Sequence, residues 1–291
     1  MTATERSGDL LCVESLSKVF SIRTAGGGSE DLVAVDDVSF TVPRSGSLAI
    51  VGESGSGKTT VARIIAGLEA ATSGAVTFEG EPRGIGRLNW RDRKRQAAQV
   101  QMVFQDPYSS LDLHQTVAAA IGEVLREHFP LTREQRRQRV GELLNAVGLD
   151  ARQAQAVPRA LSGGQRQRVA IAKALAVAPR LLILDEAVSA LDVSVQAQVI
   201  NMLADLRASL DVAFLFISHD LGVVRQVSDD CIVMHRGRLV EAGRTDEVLS
   251  RPREQYTRDL LSAIPRPGWQ PRRRRPATRG RPRRLGVRRR A

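Results

Sequence analysis

A glycine-rich stretch between an apolar run and a helical pattern constrains the fold of this chain more than any other feature. Residues 48–51 are Leu-Ala-Ile-Val, and apolar side chains recur at helical spacing over residues 61–68. This order predicts a buried strand, a tight turn and the first turn of a helix. The stretch between them consists of Gly52, Glu53, Ser54, Gly55, Ser56, Gly57, Lys58, Thr59 and Thr60.

Phosphate is the ligand that this turn suits best. Gly52, Gly55 and Gly57 let the backbone adopt positive φ and bring its N–H groups close to an anion. The helix that follows directs its unpaired N–H groups and the positive end of its dipole to the same place. Lys58 adds a full positive charge, and Thr59 offers a hydroxyl to a magnesium ion. A surface turn before an ordinary helix is the alternative, but the flanking strand and helix favour a site for a nucleoside triphosphate with Mg²⁺.

A second apolar run, residues 181–184, ends in two carboxylates, Asp185 and Glu186. Two adjacent acids at the tip of a buried strand repel each other unless a cation lies beside them. We predict that Asp185 holds the magnesium ion, directly or through water, and that Glu186 orients and deprotonates the attacking water. This division of work suits phosphoryl transfer. A solvated acidic turn is the alternative, and the phosphate loop elsewhere in the chain counts against it.

A further glycine turn, Ser162-Gly163-Gly164-Gln165, opens another helical pattern. Ser162 and the N–H groups of Gly163 and Gly164 could bind phosphate at the helix N-terminus. An ordinary N-cap explains the same residues equally well. Both interpretations stay open on this segment alone.

Charge and cysteine content narrow the class of protein. The net charge is +11, but residues 266–291 contain 12 of the 43 basic residues and none of the 32 acidic ones, so the rest of the chain is nearly neutral. Cys12 and Cys231 lie far apart and show no metal-ligand spacing, which predicts buried thiols in a reducing compartment. Residues 1–10 lack the apolar core of a signal peptide. The longest apolar runs, residues 181–184 and 212–217, are too short to cross a bilayer, so any membrane role is expected to come through a partner.

The arginine-rich tail, from Pro267 to the end, has too few apolar residues to form a core. We predict a disordered, solvated extension, and a shifted reading frame in a GC-rich gene would give the same composition. Contact with anionic lipid or with RNA is the alternative. Only Trp269 accompanies the arginines as an aromatic platform, so nucleic acid is not expected as a partner.

The remaining pattern alternates between strands and helices. Residues 10–50 predict short β segments, and residues 81–99 a surface loop with a short helix. Gly148 predicts the end of a helix. The expected fold is therefore a parallel-sheet α/β core that an all-helical insert interrupts. Further strands are predicted at residues 75–78, 100–104, 181–184, 212–217, 231–235 and 238–241, and helices over about 116–157, 161–178 and 195–210.

Taken together, the phosphate loop, the Asp185-Glu186 pair and the Ser162–Gln165 turn resemble the ATP-binding cassette ATPases, the motor subunits of ABC transporters. The resemblance covers roughly residues 10–265. It implies a P-loop NTPase core, a mixed sheet with flanking helices, together with an all-helical insert subdomain and a disordered basic tail. The implied bounds are a RecA-like core at about 10–106 and 180–250, a helical subdomain at about 107–179, a C-terminal segment at 251–265 and a tail at 266–291.

The resemblance also implies that two cassettes pack head to tail and share each ATP. In that arrangement one chain supplies the phosphate loop, and Ser162, Gly163, Gly164 and Gln165 act from the other chain. Further roles follow by position in this sequence. Gln105 would touch magnesium and water and link the core to the insert, Asp192 would lie in a loop that crosses the dimer interface, His219 would contact the γ-phosphate, and Phe20 would stack on adenine or else fill a core position.

Two segments, residues 103–111 and 256–265, resemble the oligopeptide and dipeptide importer subgroup. Glu254-Gln255 stands where that subgroup usually has His-Pro or a similar pair, and the tail has no cysteine that would support an iron–sulfur cluster. The resemblance implies a second ATPase subunit, identical or different, two membrane permease subunits and, indirectly, a solute-binding protein, with this chain at the cytoplasmic face of the membrane. The alternatives are import of another solute such as nickel, a soluble ATPase acting on nucleic acid or ribosomes, and a regulatory cassette that does not hydrolyse ATP.

Overall fold

The computed structural model describes residues 8–23, 27–83, 89–106 and 110–263. The expected disorder of the tail lies outside the described residues. Residues 107–109 and 264–265 of the importer-like segments lie outside them too. The strands, in chain order, are β1 (Asp9–Arg23), β2 (Ser29–Pro43), β3 (Ser47–Val51), β4 (Ser73–Phe78), β5 (Glu81–Pro82), β6 (Val100–Val103), β7 (Leu181–Asp185), β8 (Ala213–Ser218), β9 (Asp230–His235) and β10 (Arg238–Arg244).

The strands form two sheets. An antiparallel sheet has the order β2-β1-β4-β5, and a mixed sheet has the order β10-β9-β3-β8-β7-β6. In the mixed sheet only the β9–β10 pair is antiparallel. The mixed sheet confirms the predicted core. The N-terminal prediction of short β segments was wrong in extent, because β1 and β2 each run for 15 residues as one long antiparallel pair.

Alternate residues of the central strands enter two different cores. Leu48 and Ile50 pack on the side of the antiparallel sheet and the first helix, whereas Ala49 and Val51 pack on the side of the remaining helices. The same alternation holds along β7 and β8. Because side chains of a strand point alternately to its two faces and both faces are covered here, these strands are apolar without interruption.

The helices flank the mixed sheet or form the insert. The segment predicted to be helical, residues 116–157, forms three helices, each capped at its start by the side chain of Thr116, Thr132 or Asp150. Gly148 follows the second of these helices with φ of +69°, as the glycine at that position predicted. The helices are α1 (Lys58–Ile65), α2 (Trp90–Gln99), α3 (Val117–His128), α4 (Arg133–Ala146), α5 (Ala151–Gln155), α6 (Gly163–Leu175), α7 (Val193–Ser209), α8 (Leu221–Val227), α9 (Thr245–Ser250) and α10 (Gln255–Ser262).

No helix within the described ranges has both the length and the apolar character that crossing a bilayer requires.

Candidate functional site

The residues predicted to bind and hydrolyse the nucleotide follow the ends of four neighbouring parallel strands. In the mixed sheet β3, β8, β7 and β6 lie side by side and run in the same direction. The phosphate loop follows β3, His219 follows β8, Glu186 follows β7 and Gln105 comes soon after β6. Since the carboxyl ends of parallel strands meet at one edge, residues separated by more than a hundred positions are brought to one crevice.

The phosphate loop needs glycine at two places for reasons of space. Gly57, which precedes α1, has φ of +100°, and a Cβ there would collide with the carbonyl oxygen of Ala34. Gly52 has φ of +150°, and a Cβ there would collide with the carbonyl oxygen of Met234. The loop therefore lies directly against the backbone of β2 and β9. This close approach leaves no space for a side chain at residue 52 or residue 57.

Lys58, the first residue of α1, is buried beneath the loop. Its Nζ donates hydrogen bonds to the carbonyl oxygens of Gly52 at 2.9 Å and Glu53 at 2.8 Å. Burial lowers the pKa of Lys58, while the nearby carboxylates of Glu186 and Asp185 oppose that change. The ammonium group is thus held inside the loop, where a phosphate group would meet it.

Thr59 and Asp185 form the candidate magnesium site. The Thr59 hydroxyl donates to Asp185 Oδ1 at 3.1 Å, and Asp185 is only 6% exposed. Burial raises the pKa of Asp185, because the ionised carboxylate lies in a poorly solvated position. In the part of the chain that is described, no three His, Cys, Asp or Glu residues are grouped as a complete metal site. A hydroxyl and one carboxylate fit Mg²⁺, which commonly takes its remaining ligands from substrate phosphates and water.

Glu186 and His219 lie together at the ends of β7 and β8. The backbone N–H of Glu186 donates to the carbonyl of Ile217 at 2.9 Å, and its φ of +49° turns the chain away from the strand. His219 Nδ1 lies 3.2 Å from Glu186 Oε1. A non-glycine residue at positive φ is strained, so the surrounding bonds hold Glu186 in a conformation that it would not adopt freely.

Gln105 is linked to this pair through Ser189. The side-chain amide of Gln105 donates to Ser189 Oγ at 3.4 Å, and Ser189 Oγ donates to the carbonyl of Glu186 at 2.9 Å. The structure therefore connects the segment before the helical insert with the acidic end of β7. Contact of Gln105 with magnesium stays a prediction.

The Ser162–Gln165 turn is an N-cap within its own chain. Ser162 Oγ accepts from the N–H of Gln165 at 3.3 Å, and Gln165 Oε1 accepts from the N–H of Ser162 at 3.0 Å. Gly164 packs so closely on Val195 of α7 that a Cβ would collide with that side chain. Among the described residues, no hydrogen bond joins Ser162–Gln165 to the phosphate loop. Asp192, at the start of α7, is exposed. Roles of these residues toward a second chain stay predictions.

Phe20 lies near the end of β1, paired with Leu32 of β2, and is half-buried. The Lys18 ammonium lies 4.7 Å from the centre of its ring. Phe20 belongs to neither of the two core clusters that the described residues form. This position favours a ring available for stacking over the alternative core role, and adenine stacking stays a prediction.

Two contacts at the loop were not expected from the sequence. The N–H of Gly237 donates to the carbonyl of Ser56 at 3.1 Å, and the N–H of Glu53 donates to the hydroxyl of Tyr256 at 3.2 Å. Tyr256 was singled out only as part of an importer-like segment. No local pattern could have revealed these contacts, because the paired residues are separated by about 180 to 200 positions and meet only in the folded sheet.

Comparisons with known proteins agree with this geometry. Residues 35–189 match the family model described as ABC transporter. The oligopeptide transport ATP-binding protein OppF of Bacillus subtilis is 48% identical over 80% of this chain and 77% of its own length. OppF of Lactococcus lactis is 41% identical over 88% and 81%, and a probable peptide ABC transporter ATP-binding protein of Sinorhizobium fredii is 45% identical over 90% and 74%.

Solved structures with the same fold include cbiO1 of Clostridium perfringens, described as part of an ABC transporter complex. It has a TM-score of 0.72 and 26% identity, and covers 84% of this chain and 92% of its own. A dimeric ATP-binding cassette bound to ADP and Pi has a TM-score of 0.71 and 26% identity, with 81% of this chain and 98% of its own covered.

Proposed function

This chain belongs to the ATP-binding protein family of ABC transporters, and on that premise we propose that it is the ATP-hydrolysing subunit of an importer for dipeptides and oligopeptides. The observation that carries the proposal is the convergence of Lys58, the Thr59–Asp185 pair and the Glu186–His219 pair at one edge of the mixed sheet. The names of the peptide transport relatives support peptides as the transported solute.

Each residue of the site has a task in ATP hydrolysis. The backbone N–H groups of the phosphate loop and the start of α1 bind the phosphates, and Lys58 adds positive charge to them. Glu186 accepts a proton from the attacking water, and His219, 3.2 Å from its carboxylate, holds that carboxylate in place and contacts the γ-phosphate. Thr59 and Asp185 would hold Mg²⁺, which supplies neutralisation of phosphate charge.

A second cassette is needed to complete each site in this proposal. The Ser162–Gln165 turn is built and capped at the N-terminus of the 13-residue helix α6, yet makes no hydrogen bond to its own phosphate loop within the described ranges. A turn of this kind offers N–H groups and a hydroxyl to the phosphates of a nucleotide held by a companion chain. The companion is a second copy or a different ATPase chain, with Asp192 at the interface between them.

Two membrane permease subunits are the proposed targets of the motion that ATP drives. The Gln105–Ser189–Glu186 link connects the hydrolytic end of β7 with the segment that leads into the helical insert. A change at Glu186 on hydrolysis would therefore move the insert, which we place against the permeases. In this arrangement the chain lies at the cytoplasmic face of the membrane as a peripheral subunit, and a solute-binding protein delivers peptide from the other side. Nucleic acid has no part in it.

Uptake by cells tests this function. A strain that lacks the gene is complemented with the wild-type chain, with Glu186→Gln, or with Glu247→Gln, which removes an exposed charge on α9, outside the helical insert. We expect wild type and Glu247→Gln to restore uptake of labelled dipeptide and tetrapeptide, and Glu186→Gln to leave it at the background level. Restoration of nickel uptake without peptide uptake would refute the peptide assignment, and full uptake with Glu186→Gln would refute the role in hydrolysis.

A further inference from the structure

The C-terminal helix α10 is fastened to the core beside the phosphate loop. Glu241 of β10 is buried, and its carboxylate oxygens accept hydrogen bonds from the N–H groups of Arg253 at 2.8 Å and Glu254 at 3.3 Å. Burial alone would raise the pKa of Glu241, but these backbone donors and the Thr257 hydroxyl hold that pKa below its ordinary value. The carboxylate thus fixes the residues just before α10. It thereby fixes the start of this helix, where Tyr256 lies.

Tyr256 reaches from this helix to the phosphate loop along the ring of His235. The two rings are stacked with their centres 3.9 Å apart and their planes 13° from parallel. Because His235 is the last residue of β9, the stack places the tyrosine hydroxyl at the edge of the mixed sheet where the loop lies. There the hydroxyl oxygen accepts a hydrogen bond from the N–H of Glu53 at 3.2 Å.

The peptide group that Tyr256 binds is the same one that binds Lys58. The N–H of Glu53 and the carbonyl of Gly52 belong to one peptide unit, and that carbonyl accepts from Lys58 Nζ at 2.9 Å. A trans peptide is planar, so its N–H and C=O point in opposite directions and turn together. Holding the N–H from one side therefore fixes the direction in which the carbonyl meets the lysine on the other side.

We propose that Tyr256 is a positioning residue of the nucleotide site, whose hydroxyl sets the orientation of the Gly52–Glu53 peptide and, through its carbonyl, the position of the Lys58 ammonium. This inference rests on the proposed function of the phosphate loop. It gives the C-terminal segment of the chain a part in nucleotide binding, beyond packing against the core.

The hydroxyl can be removed without the ring. Tyr256→Phe keeps the stack on His235 and loses only the acceptor for Glu53. Ser262→Ala is the control, because it removes an exposed hydroxyl from the far end of the same helix, where that hydroxyl donates to the carbonyl of Asp259. Equilibrium binding of ATP to the full-length chain is measured by calorimetry for both variants, and Tm is measured alongside.

We expect Tyr256→Phe to weaken ATP binding by about 2- to 10-fold, the effect of one net hydrogen bond, and Ser262→Ala to leave ATP affinity unchanged. Equal ATP affinity of Tyr256→Phe and wild type overturns the proposal. Equal weakening by the two variants also overturns it, since the cause would then be a general change in α10.

Amide hydrogen exchange at Glu53 gives a second measurement, and its first part uses only the wild-type chain. The Glu53 N–H of the wild-type chain should be protected, and in Tyr256→Phe it should exchange faster. An unprotected Glu53 amide in the wild-type chain overturns the proposal. Lys58→Ala tests the nucleotide site separately from the role of Tyr256. If Lys58→Ala binds ATP as wild type does, the proposed nucleotide site is wrong. If Lys58→Ala loses ATP binding and Tyr256→Phe keeps it, only the proposed role of Tyr256 is wrong.

Discussion

His219 Nδ1 lies 3.2 Å from Oε1 of Glu186, and this contact joins the ends of the neighbouring parallel strands β7 and β8. The same two strand ends are also tied by the hydrogen bond from the Glu186 N–H to the Ile217 carbonyl. The carboxylate that would take a proton from water is therefore oriented by both its backbone and its side chain. Such support is what a general base requires if its position is to be reproducible.

Glu186→Gln should lower ATP turnover about 100-fold or more, because the amide cannot accept the proton of the attacking water. ATP binding should be retained, since the phosphate loop is unchanged. Phosphate release and nucleotide binding by the full-length chain, in its transporter where turnover requires it, check both statements. Glu247→Gln on α9 is the control and should behave as wild type. Turnover that survives Glu186→Gln would indicate that another group acts as the base, or that hydrolysis does not occur here.

Asp185→Asn should make the chain more stable in the absence of nucleotide while impairing its use of Mg²⁺. Burial raises the folded-state pKa of Asp185 above its unfolded value, so the folded state binds more protons between the two values and stability falls as pH rises through that interval. At neutral pH the buried, ionised carboxylate therefore lowers the free energy of unfolding, and replacing it with a neutral amide removes this destabilisation.

We expect the Tm of Asp185→Asn at pH 7 to lie above that of wild type, and the gap between them to close below the unfolded pKa of aspartate. Adding ATP with Mg²⁺ should raise the Tm of wild type more than that of the variant. Thermal melts from pH 3.5 to pH 8, with and without the ligands, provide the measurement. A Tm that falls on substitution would show that the Thr59 hydrogen bond outweighs the burial of the charge.

Phe20→Ala should weaken ATP binding at least about fivefold, the lower range of base stacking on an aromatic ring. Tripolyphosphate, which lacks the base, should bind the variant as it binds wild type. Competition binding with the two ligands distinguishes this role from a packing role. If Phe20 instead supports the core, the substitution will lower Tm and weaken both ligands together.

Ser162→Arg should reduce turnover about 100-fold while the phosphate loop of the same chain still binds ATP, because the serine would act on a nucleotide held by the companion. Lys58→Ala should be inactive because its own phosphate loop is impaired, although its Ser162–Gln165 turn is intact. Where the chain pairs with a second copy of itself, an equal mixture of the two variants should recover about a quarter of wild-type turnover, since half the dimers are mixed and each mixed dimer has one intact site. Full turnover by Ser162→Arg alone would rule out a shared site.

The parts of the site that sequence revealed are those encoded locally. The loop at residues 52–60, the acids after β7 and the capped turn at Ser162 each combine a characteristic spacing with a recognisable flanking strand or helix. The parallel strands at the centre of the mixed sheet followed from the apolar runs for the same reason. Local patterns specify which backbone conformation forms, and they specify little about which distant segments meet.

What sequence left open depends on distant contacts. The separation of β1, β2, β4 and β5 into their own antiparallel sheet depends on pairing across as many as 67 positions, as between Leu11 and Phe78, which no local alternation specifies. Likewise, the sequence around Tyr256 does not indicate that its hydroxyl contacts Glu53. That contact depends on the stacking of Tyr256 on His235 and on the hydrogen bonds from residues 253–254 to Glu241, which form only once the sheet is assembled.

The cap at Ser162 has a consequence for how quickly two cassettes can join and separate. Its hydroxyl oxygen accepts from its own helix, and a hydroxyl that accepts in this way still has its proton to donate. In the proposed dimer the serine would therefore reach a neighbour's phosphate without breaking any bond that holds α6. Closure would then require little internal rearrangement of this surface, and release after each cycle would return it unchanged, ready for the next encounter.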